Sequence, residues 1–284
     1  MKAVRISFTI AAVLAMASVV MGAVVCATES GAACPNWPGC YPDRFAPQAQ
    51  LNPMIEFVHR VVAALTGPAV LVAAILARKV EDRLPRRLAW VALAGTIAAG
   101  VFGMLIVKVG IPWWLGVVDL ASALTATVCL ILATLLVAPD ARWVPGPIAR
   151  PAWAALVTLA VMHLLAIAVA GANSFTRCLS CPLGVWDADR WPGVQWLRIG
   201  LAVVAAVLIV VVVVAGLRVR RLRVAAAITG GLLLLEAVLG IAVRTGSAGI
   251  GPATALAVTA ALLFGAMALL AGRASVVRTP PEQS

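Results

Sequence analysis

Charge is scarce in this chain. Asp, Glu, Lys and Arg make up 12% of its 284 residues, against roughly 25% in a soluble domain. That shortage excludes a soluble enzyme, a nucleic-acid-binding domain and a disordered protein as descriptions of the whole chain. Histidine is scarcer still, with two residues, so any metal or haem chemistry must work with very few ligands. Strict alternation of apolar and polar residues is also missing, and a transmembrane barrel needs it. Present instead are long runs of Leu, Val and Ala, in a chain that is 63% hydrophobic. Runs of about 20 such residues match the length a helix needs to cross about 30 Å of hydrocarbon.

Eight such segments are read, at 6–27, 54–77, 88–108, 114–137, 152–173, 194–216, 224–244 and 252–272. The first is longer than the h-region of a cleaved leader, which favours a retained helix; cleavage near Ala27 is the alternative. The net charge of +11 resembles a nucleic-acid signal until its positions are mapped. Fifteen of the 22 cations flank the segments on one side, after helices 2, 4, 6 and 8 and before helix 1. The positive-inside rule makes that side cytoplasmic, with both termini there. No nucleic-acid partner is then needed. The other seven are Arg44, Arg60, Lys108, Arg177, Arg190, Arg198 and Arg244. They lie on the opposite side, against the bias, and are candidates for binding anionic groups such as lipid phosphates.

The chain reads as a repeat. Pro139, Pro145, Pro147 and Pro151 mark a linker at 141–151 between halves at 1–140 and 152–284. CPNWPGC at 34–40 matches CLSCPLG at 178–184, Arg60 matches Arg198, and Lys108 matches Arg244 within one residue. The expected fold is an all-α membrane protein whose eight transmembrane helices form two pseudo-symmetric four-helix bundles.

Cys34 with Cys40, and Cys178 with Cys181, are close pairs expected to form disulfides in an oxidising exterior. A redox-active pair is the sharper alternative. Cys26 and Cys129 read as small apolar core residues. Glu56, His59 and Arg60 sit near the outer start of helix 2, with Glu56 and His59 on one face. Ionisable groups inside a membrane usually face the bundle interior. His59 and Asp119 each lie five residues into their helices, roughly 8 Å deep. A disc such as haem between helices 2 and 4 would touch both, with Arg60 and Lys108 near its propionates. A capped helix start, or a buried contact between His59 and Asp119, is the plainer account.

CPNWPGC, the E-x-x-H-R start of helix 2 and IPWWL at 111–115, within an eight-helix repeat, resemble the haem A synthase family. The resemblance spans essentially the whole chain. It implies a bacterial plasma-membrane protein that oxidises a methyl group of haem O to formyl. It further implies Glu56 as the catalytic carboxylate, His59 as an axial ligand of the iron, and a loop pair at Cys34 and Cys40. Its implied partners are a haem O synthase and the factors that assemble cytochrome oxidase. Family members typically carry a histidine at the start of helices 2, 4, 6 and 8. This chain has His59, then Asp119, Leu197 and either Ala255 or Leu256. The electron-passing haem b of the C-terminal half is therefore not expected, since Leu and Ala cannot ligate iron. His163 and Glu236 lie mid-helix. The histidine is expected to bond a neighbouring helix; the carboxyl reads as neutral, or as a proton-relay or quinol contact. Two further functional readings stay open. One is a non-catalytic haem-binding or oxidase-assembly paralogue. The other is a thiol/quinone oxidoreductase using the outer cysteines.

Overall fold

A computed structural model describes residues 2–110, 112–171, 175–178, 190–246 and 250–278. Its helices are α1 (Lys2–Ala27), α2 (Leu51–Leu76), α3 (Arg83–Val109), α4 (Trp113–Leu136), α5 (Ala149–Val169), α6 (Pro192–Leu217), α7 (Arg223–Arg244) and α8 (Ile250–Ser275). All eight are long and apolar enough to cross a membrane, as the sequence leads one to expect of a multi-pass membrane protein. Several begin three to five residues before their apolar runs, because backbone hydrogen bonding continues past the point where apolarity ends. Asp82 caps α3 by accepting from the Leu84 amide at 2.9 Å. Pro53, Pro85 and Pro192 sit in first turns, where a missing N–H loses no helical bond. The C-terminal ends of α3 and α7 are both followed by a glycine with positive φ, Gly110 and Gly246.

Short connections make consecutive helices neighbours. α1 packs on α2 and α4, α2 on α3, and α3 on α4; α5 through α8 close a second ring in the same order. The rings meet where α8 packs on α1 and α4, and where α4 packs on α5. The expected linker contains a strand, β1 (Ala141–Trp143), antiparallel to β2 (Val276–Arg278). The Val144 amide continues the contact by donating to the Ser275 carbonyl at 2.8 Å. The Trp153 indole N–H donates to the Ser275 hydroxyl at 2.9 Å.

Two apolar cores fill the interior unevenly. The first joins Phe8 and Ala15 of α1, Val70 and Ala73 of α2, Leu93 of α3 and Leu130 of α4. All of these lie toward the arginine-rich ends of their helices. The second core runs through α5, α6 and α8, and takes in Val19, Ala23, Ala27 and Leu124 from α1 and α4. The buried apolar residues at the cysteine ends of α1 and α4 therefore belong mainly to the seam between the rings.

Cys34 is bonded to Cys40, as their spacing suggests, but Cys178 is bonded to Cys26. Cys26 is thus not a plain core residue, and Cys178 is not the partner of Cys181, which lies outside the described residues. The cause is the packing of the last turn of α1 against the turn Phe175–Arg177. That packing brings the two Cα atoms to 5.5 Å, within disulfide reach. Cys129 remains a free thiol within α4. The bridge covalently joins the two halves. A protease site introduced at 144–148 and then cut should leave one band on a non-reducing gel and two after reduction. Cys26→Ser should give two bands under both conditions. Two bands from the unaltered pairing without reductant would show that the bridge does not form.

Candidate functional site

Glu56, His59, Arg60, Lys108 and Asp119 lie at the cysteine ends of α2, α3 and α4. In α2, one turn separates Glu56 from His59, and Arg60 follows at i+4 from the glutamate. Glu56 is buried at 5% exposure. Its Oε1 accepts from Arg60 Nε at 2.8 Å. The rest of the guanidinium is turned to the loop above. Nη1 donates to the carbonyls of Asn36 and Gly39 at 2.6 and 3.1 Å, and Nη2 donates to that of Cys34 at 2.7 Å. Arg60 therefore ties α2 to the disulfide loop from inside. The guanidinium expected near a propionate is engaged in the fold by Glu56 and the loop carbonyls.

The loop is shaped to receive that cation. Asn36 N–H donates to Cys40 C=O, and Cys40 N–H donates to Phe45 C=O, both at 3.1 Å. This brings the chain at Gly39 so close to Phe45 that a Cβ would stand 2.9 Å from its Cα. Phe45 then meets Phe57 of α2 edge to face at 5.9 Å. The carbonyls of residues 34, 36 and 39 face a single guanidinium.

His59 stands on the neighbouring face of α2. Its ring packs on α1 at Gly22, where a Cβ would lie 3.5 Å from Cε1 and 4.0 Å from Nε2. Its Nδ1 is buried and makes no hydrogen bond. Asp119 lies on α4, diagonal to α2 in the ring, and is half-buried. It makes no hydrogen bond among the described residues. Lys108, at the end of α3, is exposed at the rim. Residues 102–107 of α3 and 117–123 of α4 are all partly exposed, whereas the arginine-rich halves of the same helices carry the buried core.

The second half differs. Arg198 is fully buried, with Nη1 donating to Gln195 Oε1 at 3.4 Å. Arg244 is exposed at the end of α7. Arg177, outside the helices, has its proton affinity lowered, first by burial and then by the nearby Arg190 charge. Leu197 is 56% exposed and turned outward, while Leu256 is fully buried. His163 and Glu236, which the sequence presents as separate mid-helix residues, line one cavity. No pattern of spacing could have paired them, because they lie on α5 and α7, whose connection runs through all of α6.

No known family model matches the chain, and no curated protein matches it.

Proposed function

We propose that the N-terminal half holds a haem as substrate, and that the protein is a membrane oxidoreductase of the haem A synthase kind. The observation that carries this reading is the buried Nδ1 of His59, which makes no hydrogen bond, one helical turn from the buried carboxyl of Glu56. Both lie in the half of α2 away from the buried core of the first ring, and Asp119 lies on the diagonal helix α4. A buried polar atom left unsatisfied costs about 1–3 kcal/mol. An iron ligated by His59 would remove that cost. The fit extends to Glu56. Arg60 fixes one carboxylate oxygen, leaving the other for a proton released when a substrate methyl is oxidised. Asp119, on the diagonal helix α4, would be the second side chain able to contact such a haem, directly or through a water. Lys108 is the rim cation suited to a propionate.

In this reading the two rings are pseudo-symmetric halves. The matching seams of α1 with α8 and α5 with α4, together with the paired terminating glycines, support it. The arginine-rich end faces the cytoplasm of a bacterium, with both termini there. The residues of the second half do not suit a second haem. Leu197 faces outward, Leu256 has no ligating atom, and the core around α5 and α8 is packed. No step is assigned to a haem there.

The test is direct. Protein purified after haem-replete expression should show a haem spectrum. Incubated with haem O, reductant and oxygen, it should yield a formyl haem, recognised by the red shift of its pyridine haemochrome. Glu56→Gln should keep the bound haem and lose at least a hundredfold in conversion. Haem binding without conversion by the unaltered protein would point instead to the assembly paralogue. Absence of haem would remove the proposal altogether.

A further inference from the structure

The α6–α7 face carries a second feature, which does not depend on the haem reading. A groove of about 580 Å³ runs between these helices from Ile199 to Val214 of α6, bordered on α7 by Gly230, Leu234 and Ala237. The fifteen helical steps from Ile199 to Val214 span roughly 22 Å. The lining is aliphatic except at one point, Glu236, which is 3% exposed and sits at the floor. Behind it lies a cavity of about 40 Å³, lined by His163, Met162 and Ala205 among others. Ala202, Ala206, Leu233 and Glu236 border both spaces. The partition is therefore two alanine methyls, one leucine and one carboxyl. His163 is 2% exposed, and its Nδ1 makes no hydrogen bond. The inner space is large enough for one water.

Depth and lining select the occupant. Glu236 is thirteen residues from the start of α7 and eight from its end, so it lies roughly 20 Å and 12 Å from the two helix ends. A phospholipid headgroup cannot be brought that deep without losing its hydration, and no cation lines either space to receive its phosphate. A simple acyl chain would fill the groove and ignore Glu236. The lining fits a neutral, flat, hydrogen-bonding head on a long apolar chain that enters sideways from the membrane. A carboxyl has donor and acceptor capacity for a ring carbonyl or hydroxyl, and the histidine nitrogen behind it extends the contact through one water.

We propose that the α6–α7 groove is a lateral binding site for a prenylquinone. Its chain lies along the valines of α6, and its ring head rests against Glu236, backed by His163. The test uses the full-length protein in phosphatidylcholine nanodiscs, with decylubiquinone as the probe and equilibrium binding as the readout. Saturable binding is expected. Val207→Trp fills the groove from a position that is 58% exposed, so it leaves the core alone; it should weaken binding at least tenfold. Glu236→Leu should do the same, and Glu236→Gln should bind within about threefold of the unaltered protein. Val157→Trp, on the exposed face of α5, should change nothing. The Cys26–Cys178 bridge, read on a non-reducing gel, reports that each variant is folded. Decylbenzene competing as well as the quinone would overturn the proposal in favour of an acyl-chain groove. So would binding unaffected by both Val207→Trp and Glu236→Leu. Efficient cross-linking between copies through Val207→Cys, with no quinone binding, would assign the face to self-association instead. Haem content is not part of the readout, so the two proposals fail separately.

Discussion

Arg60→Ala is expected to destabilise the protein by about 3–5 kcal/mol, the cost of removing one partner from a buried ion pair. The side chains of Arg60 and Glu56 are 12% and 7% exposed, so water cannot replace the lost cation. The change strands a carboxylate in an apolar ring and leaves the carbonyls of Cys34, Asn36 and Gly39 without their shared donor. Arg60→Lys should recover only part of this. A lysine has three donors on one nitrogen, whereas the guanidinium spreads five over a rigid fork. One ammonium cannot reach the carboxylate below and three carbonyls above together. Glu56→Gln should cost far less than Arg60→Ala, since the amide oxygen still accepts from Nε. Chemical unfolding in detergent micelles measures the first effect. The rate at which reductant opens Cys34–Cys40 should rise in Arg60→Ala and much less in Glu56→Gln. An Arg60→Ala protein that unfolds like its parent would mean the clamp contributes nothing.

This clamp also shows where sequence reading stopped. The eight helices were legible, because apolar runs of membrane length leave little choice of structure. The Glu56–Arg60 spacing announced a helix-face pair. What Arg60 faces was not legible, because the acceptors are backbone carbonyls, and every residue has one. Charge counting saw an outer cation running against the topology bias and assigned it an external anion; the fold supplies internal acceptors. Cys34 paired with Cys40 as its spacing suggested, but the second cysteine pair failed for a related reason. Nearness in sequence suggested Cys178 with Cys181. The packing of α1 beside the turn after α5 instead sets Cys26 against Cys178 across 152 positions. His163 and Glu236 were each noticed and could not be joined, since their shared cavity is a property of the second ring as a whole. His59 and Asp119 were read from helix depth, and Glu56 from its i, i+3 spacing to His59 and from the family resemblance.

His59→Ala should leave stability within about 1 kcal/mol of the parent, while haem is lost by at least tenfold in affinity. The two halves of this expectation come from the same atom. Nδ1 is buried with no hydrogen bond, so removing the ring discards no protein contact of that kind and relieves an unsatisfied group. The lost packing against Gly22 is a single ring edge. A bound iron, by contrast, has no other histidine at this level, because His163 is on α5 in the second core. Soret absorbance per mole of purified protein measures the binding, and unfolding in the same detergent measures stability. Gly22→Leu tests the geometry without touching the ligand. A leucine would drive branched carbon into the space that Cε1 and Nε2 occupy, so haem content should fall although His59 is intact. Asp119→Ala should lower haem affinity less than either, because a carboxylate across the ring is the weaker iron ligand. Full haem content in His59→Ala would remove His59 as the ligand and, with it, the reason to read this end of the first ring as a haem site. The contrast with Arg60→Ala is the discriminating result. Removing one residue of this helix turn is expected to cost stability, and removing its neighbour, as the proposed ligand, is expected to cost binding.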